Sequence, residues 1–168
     1  MQLVRYSGVI AAAALLGSCA GDNPDNVPLY GDWEMITTLG SLYIDGRLVP
    51  PEMVPPELKA LSASEKRCGE PMFINREWQQ EDINRRVRGD CTIEQYDVTP
   101  TRVTGSGICA NVAPEAGFNP RFTVDITQSA EQYRMKLEMK GDATLPGQPG
   151  RHVIRVLATQ EGVRLGEC

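Results

Sequence analysis

Residues 121–140 read RFTVDITQSAEQYRMKLEMK. Phe122, Val124 and Ile126 alternate with polar neighbours, and Met135, Leu137 and Met139 alternate with Arg134, Lys136, Glu138 and Lys140. Successive side chains of a strand point to opposite faces, so this period of two predicts two strands of a sheet with one apolar and one wet face. Upstream, Thr92–Val98 and Arg102–Ala110 flank Thr99-Pro100-Thr101, a natural hairpin. Downstream, the loop 141–150 (GDATLPGQPG) interrupts the chain before a last long β segment, His152–Gly166. Trp33–Thr37 reads as an opening strand, and Asp45-Gly46 between Ser41–Ile44 and Arg47–Val49 as a tight hairpin turn. Paired prolines at 50–51 and 55–56 forbid a central strand, but proline suits the first turn of a helix, here from Pro56 to about Leu61. A second helix is expected over residues 76–87, with Trp78 and Ile83 inward. The fold class is mainly β: an antiparallel meander forming a curled sheet or small barrel, with one or two short helices between 50 and 90.

The N-terminus speaks to compartment. One basic residue, Arg5, precedes the apolar run Gly8–Leu16, which is broken by Gly17-Ser18-Cys19. The run is shorter than the roughly 20 residues a membrane-spanning helix needs, and its layout is that of a secretory signal peptide. Leu16-Gly17-Ser18-Cys19 resembles a bacterial lipobox, which implies cleavage before Cys19 and lipid on its thiol. The expected organisation is a signal peptide at 1–18, a lipidated tether at 19–28 (the turn-rich AGDNPDNVP after Cys19) and a single β domain at 29–168. Ala20 follows the cysteine where an acidic residue would favour inner-membrane retention, so outer-membrane sorting facing the periplasm is expected. Losing residues 1–18 takes the formal charge from −5 to −6. An acidic exported chain is a poor nucleic-acid binder, because that function needs clustered positive charge.

Five cysteines become an even set once Cys19 is assigned to lipid. Cys68, Cys91, Cys109 and Cys168 are separated by 22, 17 and 58 residues, with no Cys-x-x-Cys, so two disulfides are expected rather than zinc. Pairing Cys68–Cys91 would close the helical excursion, and Cys109–Cys168 would pin the last strand. The rival is Cys91–Cys109 with Cys68–Cys168, since a three-residue turn centred on Pro100 sets Cys91 opposite Cys109.

The opening Gly31-Asp32-Trp33-Glu34, the four cysteines and the closing Gly166-Glu167-Cys168 together resemble an uncharacterised family of small exported proteobacterial proteins, catalogued as a domain of unknown function. Its members carry a cysteine pair flanking a β-hairpin, which would be Cys91 and Cys109. The resemblance covers about residues 30–168 and implies a periplasm-facing β domain without supplying an activity. Gly31-x-Trp33 with Arg164 is also similar to the lipocalin pattern, in which an arginine packs over the tryptophan ring. The competing reading is a core Trp33 with Arg164 solvated.

Chemistry-bearing sets are thin. His152 is the only histidine, so any Ser-His-Asp or Cys-His arrangement must use it, and after a loop it reads as a solvated strand end. Gly105-Ser106-Gly107 lacks the lysine and helix of a phosphate loop and reads as glycines in a strand. Met35, Met135 and Met139 are soft ligands in principle and core by pattern. Glu81 and Asp82 beside Arg85, Arg86 and Arg88 suggest ion pairs on a wet surface. No catalytic, cofactor-binding or metal residue is assigned and no cofactor is expected, which counts against an enzyme. The reading is a membrane-anchored lipoprotein acting as a non-catalytic binding or envelope-structural module, its partner an envelope protein or apolar ligand. The alternatives are a periplasmic hydrolase inhibitor, with the 141–150 loop as its probe, and a carboxylate-based enzyme acting on an envelope polymer.

Overall fold

A computed structural model describes residues 26–59, 62–71, 75–87 and 90–168, with the backbone alone for Glu57, Trp78 and residues 85–87. The signal segment, Cys19, Leu61, and the side chains of Trp78, Arg85, Arg86 and Arg88 therefore lie outside the described residues. Among the described residues, eight strands form one antiparallel sheet: β1 (Gly31–Ile44), β2 (Arg47–Leu48), β3 (Ala63–Gly69), β4 (Asp90–Thr99), β5 (Arg102–Ala110), β6 (Arg121–Gln128), β7 (Gln132–Ala143) and β8 (His152–Gly166). Their order is β2-β1-β8-β7-β6-β5-β4, with β3 also on β1. Among the described residues the strands are interrupted by a single α-helical turn, α1 (Pro56–Lys59), and the longer α2 (Arg76–Val87).

β4 to β8 are a meander, and β8 then lies beside β1, so the chain's first and last long strands are neighbours. β2 and β3 pair with separate stretches of β1 on the edge that β8 leaves free. The sheet curls without closing, leaving a seam between β3 and β4. Asp45 and Gly46, both at positive φ, make the β1–β2 hairpin turn that the Asp-Gly pair predicts.

Two bulges keep apolar residues on one face. In β1 the register shifts between Leu39 and Ser41, so Trp33, Met35, Thr37 and Leu39 share the concave face with Leu42 and Ile44. In β4 the shift between Ile93 and Gln95 does the same for Cys91, Ile93, Tyr96 and Val98. Phe122, Val124 and Ile126 pair with Met139, Leu137 and Met135, as their common period predicts. The convex face is wet, carrying the bidentate pairs Arg102–Asp125 and Arg155–Glu138 and the pair Arg134–Glu161.

Three features differ from or add to the sequence reading. Residues 63–69, which carry no strand signal in the sequence, form strand β3. Packing begins before Leu29, with Asn26 and Pro28 already buried. The loop before the last strand is shorter than 141–150, because β7 continues through Ala143.

The disulfides also follow the rival pairing, Cys68–Cys168 and Cys91–Cys109. The reason differs from the one expected. Thr99 faces Arg102 across a two-residue turn, which alone would put the cysteines out of step, and the β4 bulge restores the match.

Candidate functional site

The concave face is solid at one end. Trp33 and Val103 are fully buried, and Met35, Ile126 and Tyr133 complete the cluster. The Trp33 and Tyr133 ring centres lie 5.9 Å apart, and the indole N–H donates to the Leu29 carbonyl at 3.0 Å. Tyr133 lies flat over Gly162, where any side chain would collide with the ring.

Above this floor the sheet encloses a cavity of about 230 Å³. Its walls are Ile93 and Tyr96 of β4, Phe122, Val124 and Ile126 of β6, and Met135, Leu137 and Met139 of β7, with Ile83 of α2 and Pro71 toward the seam. An apolar cavity of about 150 Å³ already accepts benzene, so this space suits a larger apolar group. β5 contributes only Gly105 and Cys109 to the lining, and Tyr96, Phe122 and Val124 close over its glycines. A Cβ on Gly107 would strike the Thr92 carbonyl oxygen and the Phe122 ring, so the Gly-Ser-Gly segment is a close-packing device.

α2 covers the cavity by polar means. Its Gln80 amide accepts the Ile93 N–H at 2.6 Å and donates to the Cys91 carbonyl, while Asn84 Oδ1 accepts the Cys91 N–H at 2.7 Å. Arg76 donates to the Ile93 carbonyl. These side chains satisfy the outer edge of β4 where a ninth strand would otherwise pair. Across the seam, Arg67 of β3 meets Asp82 of α2 at 3.6 Å and donates to the Glu70 carbonyl at 2.6 Å. Asp82 is therefore a buried seam residue, not a member of a wet surface cluster as expected.

The cavity's polar groups are few. Tyr133 donates its hydroxyl to Gln160 Oε1 at 2.8 Å, and Gln160 Nε2 donates to Thr37 Oγ1 at 2.9 Å. Burial pushes the Tyr96 phenol well up, so it stays protonated. Asp82 is the sole carboxylate among the described lining residues, whereas glycoside hydrolysis needs a pair. No three His, Cys, Asp or Glu side chains gather as a metal site among the described residues.

His152 sits elsewhere and is not the solvated strand end expected. Its ring is mostly buried, with Nδ1 2.8 Å from Asp45 Oδ2. Asp45 Oδ1 accepts the Val153 N–H at 2.9 Å, so the carboxylate ties the β1–β2 turn to β8. The hydrogen bond to His152, then that from Val153, holds the Asp45 carboxyl below its ordinary pKa. The buried Nε2 meets no hydrogen-bond partner among the described residues, so no nucleophile is paired with this base.

The lipocalin-like contact is not made. Arg164 faces Trp33 across β1 and β8, but it is buried over Gly31, donating to the Tyr30 carbonyl at 3.0 Å and pairing with Glu167. The cation–π contact among the described residues is Arg155 over Tyr43, 5.5 Å from the ring centre.

Fold and cavity together define a small, disulfide-stapled, curled antiparallel sheet with an apolar interior. The chain belongs to a family described as a protein of unknown function (DUF3617), whose model matches residues 27–168. No curated protein and no solved structure matches it.

Proposed function

We propose that this protein is an envelope lipoprotein, held by lipid on Cys19 and facing the periplasm, whose curled sheet binds an apolar ligand. The cavity carries the binding reading: its walls are apolar on β4, β6 and β7, and it is covered by a helix attached through amides and one ion pair. Pockets of this kind, apolar with a few convergent polar groups, are where small ligands bind. The anchoring part rests on Leu16-Gly17-Ser18-Cys19 at the end of the apolar run. Lipid on one cysteine would hold the sheet close to a source of apolar ligands.

Two measurements test it. The N-terminal peptide from the membrane fraction should carry a diacylglycerol and an acyl chain on Cys19; a Cys19→Ser chain that is cut at the same bond and stays membrane-bound would sink the anchor. The purified protein, stripped of bound lipid, should take up a neutral phenylnaphthylamine dye with a rise in its fluorescence. Leu137→Glu, which sets a charge into the wall, should abolish that rise while both disulfides stay closed. Undiminished uptake by this variant would place the dye elsewhere and remove the binding reading.

The inhibitor reading retains one supporting observation. The loop between β7 and β8 is exposed at its tip yet braced at its base. Thr144 N–H donates to Ala116 C=O at 2.8 Å, and Arg151 donates to the carbonyls of Asp142 at 2.9 Å and Gly117 at 3.2 Å. Slowing of an envelope hydrolase by the protein, lost when residues 145–150 are replaced by glycine and serine, would favour it.

A further inference from the structure

We infer that the ligand is an uncharged single-chain amphiphile whose head offers a hydrogen-bond acceptor, such as an acyl ester, rather than a fatty-acid anion. The inference rests on the cavity being a binding site and asks which head group its polar corner selects. That corner is the relay Tyr133–Gln160–Thr37. Its direction matters: Tyr133 O–H fills Gln160 Oε1, and Gln160 Nε2–H fills a lone pair of Thr37 Oγ1. What remains is donor capacity, the Thr37 O–H and the second Gln160 N–H, on two residues that line the cavity. Among the described residues neither meets an acceptor. A bound ester carbonyl or ether oxygen would supply one.

Charge decides against an anion. The described lining contains no Lys, Arg or His and one carboxylate, Asp82. Two guanidinium groups bonded to residues of the lining or its rim are already engaged, Arg67 by Asp82 and the Glu70 carbonyl and Arg76 by the Ile93 carbonyl. A carboxylate brought inside would lose its hydration with no Lys, Arg or His among the described lining residues to replace it, and would sit in the same cavity as Asp82. A neutral ester of the same chain length keeps all the apolar burial and avoids that cost.

Displacement of the bound dye from the full mature chain, at mildly alkaline pH where decanoate is ionised, tests this. Monodecanoylglycerol should displace the dye at a concentration about tenfold or more below that needed for decanoate, the penalty of an unpaired buried charge. Thr37→Val, close to isosteric, should raise the monodecanoylglycerol requirement about 3- to 10-fold relative to the dye's own affinity measured in the same variant, as loss of one buried hydrogen bond predicts. Decanoate displacing as well as or better than the ester would overturn the inference and leave the cavity reading intact. So would an unchanged ester requirement in Thr37→Val. Failure of the dye to bind the unaltered chain would remove both.

Discussion

The same strands build two very different interiors. At the Trp33 end the concave face closes on itself with aromatic rings, buried to the last few per cent. Toward Cys91 and Cys109 the same face meets a helix that holds on through Gln80, Asn84, Arg76 and Asp82, and apolar side chains such as Leu137 and Met139 are only partly covered. Dispersion and burial favour dense packing wherever large side chains can reach across. At the second end β5 brings only Gly105 and Cys109 to the lining, and the helix attached there by hydrogen bonds leaves a gap. One end therefore supplies stability and the other supplies space.

The two disulfides mark the two ends and allow the contrast to be measured. Cys68–Cys168 spans 100 residues and ties β3 to the chain's last residue, whereas Cys91–Cys109 spans 18 and staples one hairpin. Loop-closure entropy assigns about 4–5 kcal/mol to the first and about 3 kcal/mol to the second. Replacing each pair with serine and comparing urea midpoints should rank them in that order. Equal losses, or a larger loss for the hairpin pair, would show that the cavity end carries more of the stability than its packing suggests.

A smaller effect is expected from Gln80→Ala, which leaves the Ile93 N–H and Cys91 carbonyl without their helix partner. The cost should be about 1–3 kcal/mol, with dye affinity falling as α2 loosens. If affinity fell with no change in the urea midpoint, the helix would be a cover independent of the fold.

The smallest is Asp45→Asn. Because His152 and Val153 lower the folded pKa of Asp45, its charge stabilises the fold above the ordinary value of 3.8, and that stability is lost as pH falls through the lower folded value. The variant's deficit in urea titrations should thus be present near neutrality and vanish in acid. A deficit independent of pH would mean that the carboxylate acts only as a hydrogen-bond acceptor in the turn.

Much of the architecture was legible where side chains alternate. Phe122 to Ile126 and Met135 to Met139 each display one apolar face, and the pairing puts those faces together. β3 was not legible, because Ser64, Glu65, Lys66 and Cys68 are all exposed on an edge strand and no period of two survives. The disulfide partners hinged on one bulge residue in β4, which no local propensity announces. Asp82 was misread because its partner, Arg67, lies on that undetected strand. His152 was misread because its partner, Asp45, is 107 residues away in a turn. The cavity walls were visible as an apolar stripe; that nothing packs densely against them is a tertiary fact.

The place of β8 has a consequence for the order of events as the chain is made. It is the last strand in sequence, yet it sits between β1 and β7 and joins everything before it. A chain emerging N-terminus first can assemble β4 to β7 by local hairpins and close Cys91–Cys109 early. β1 with β2 and β3 must wait as a separate flap until β8 arrives, and long-range pairings of this kind form slowly. Closure of Cys68–Cys168 is then a chemical timestamp for completion, and in a pulse of oxidation during refolding it should lag the hairpin disulfide.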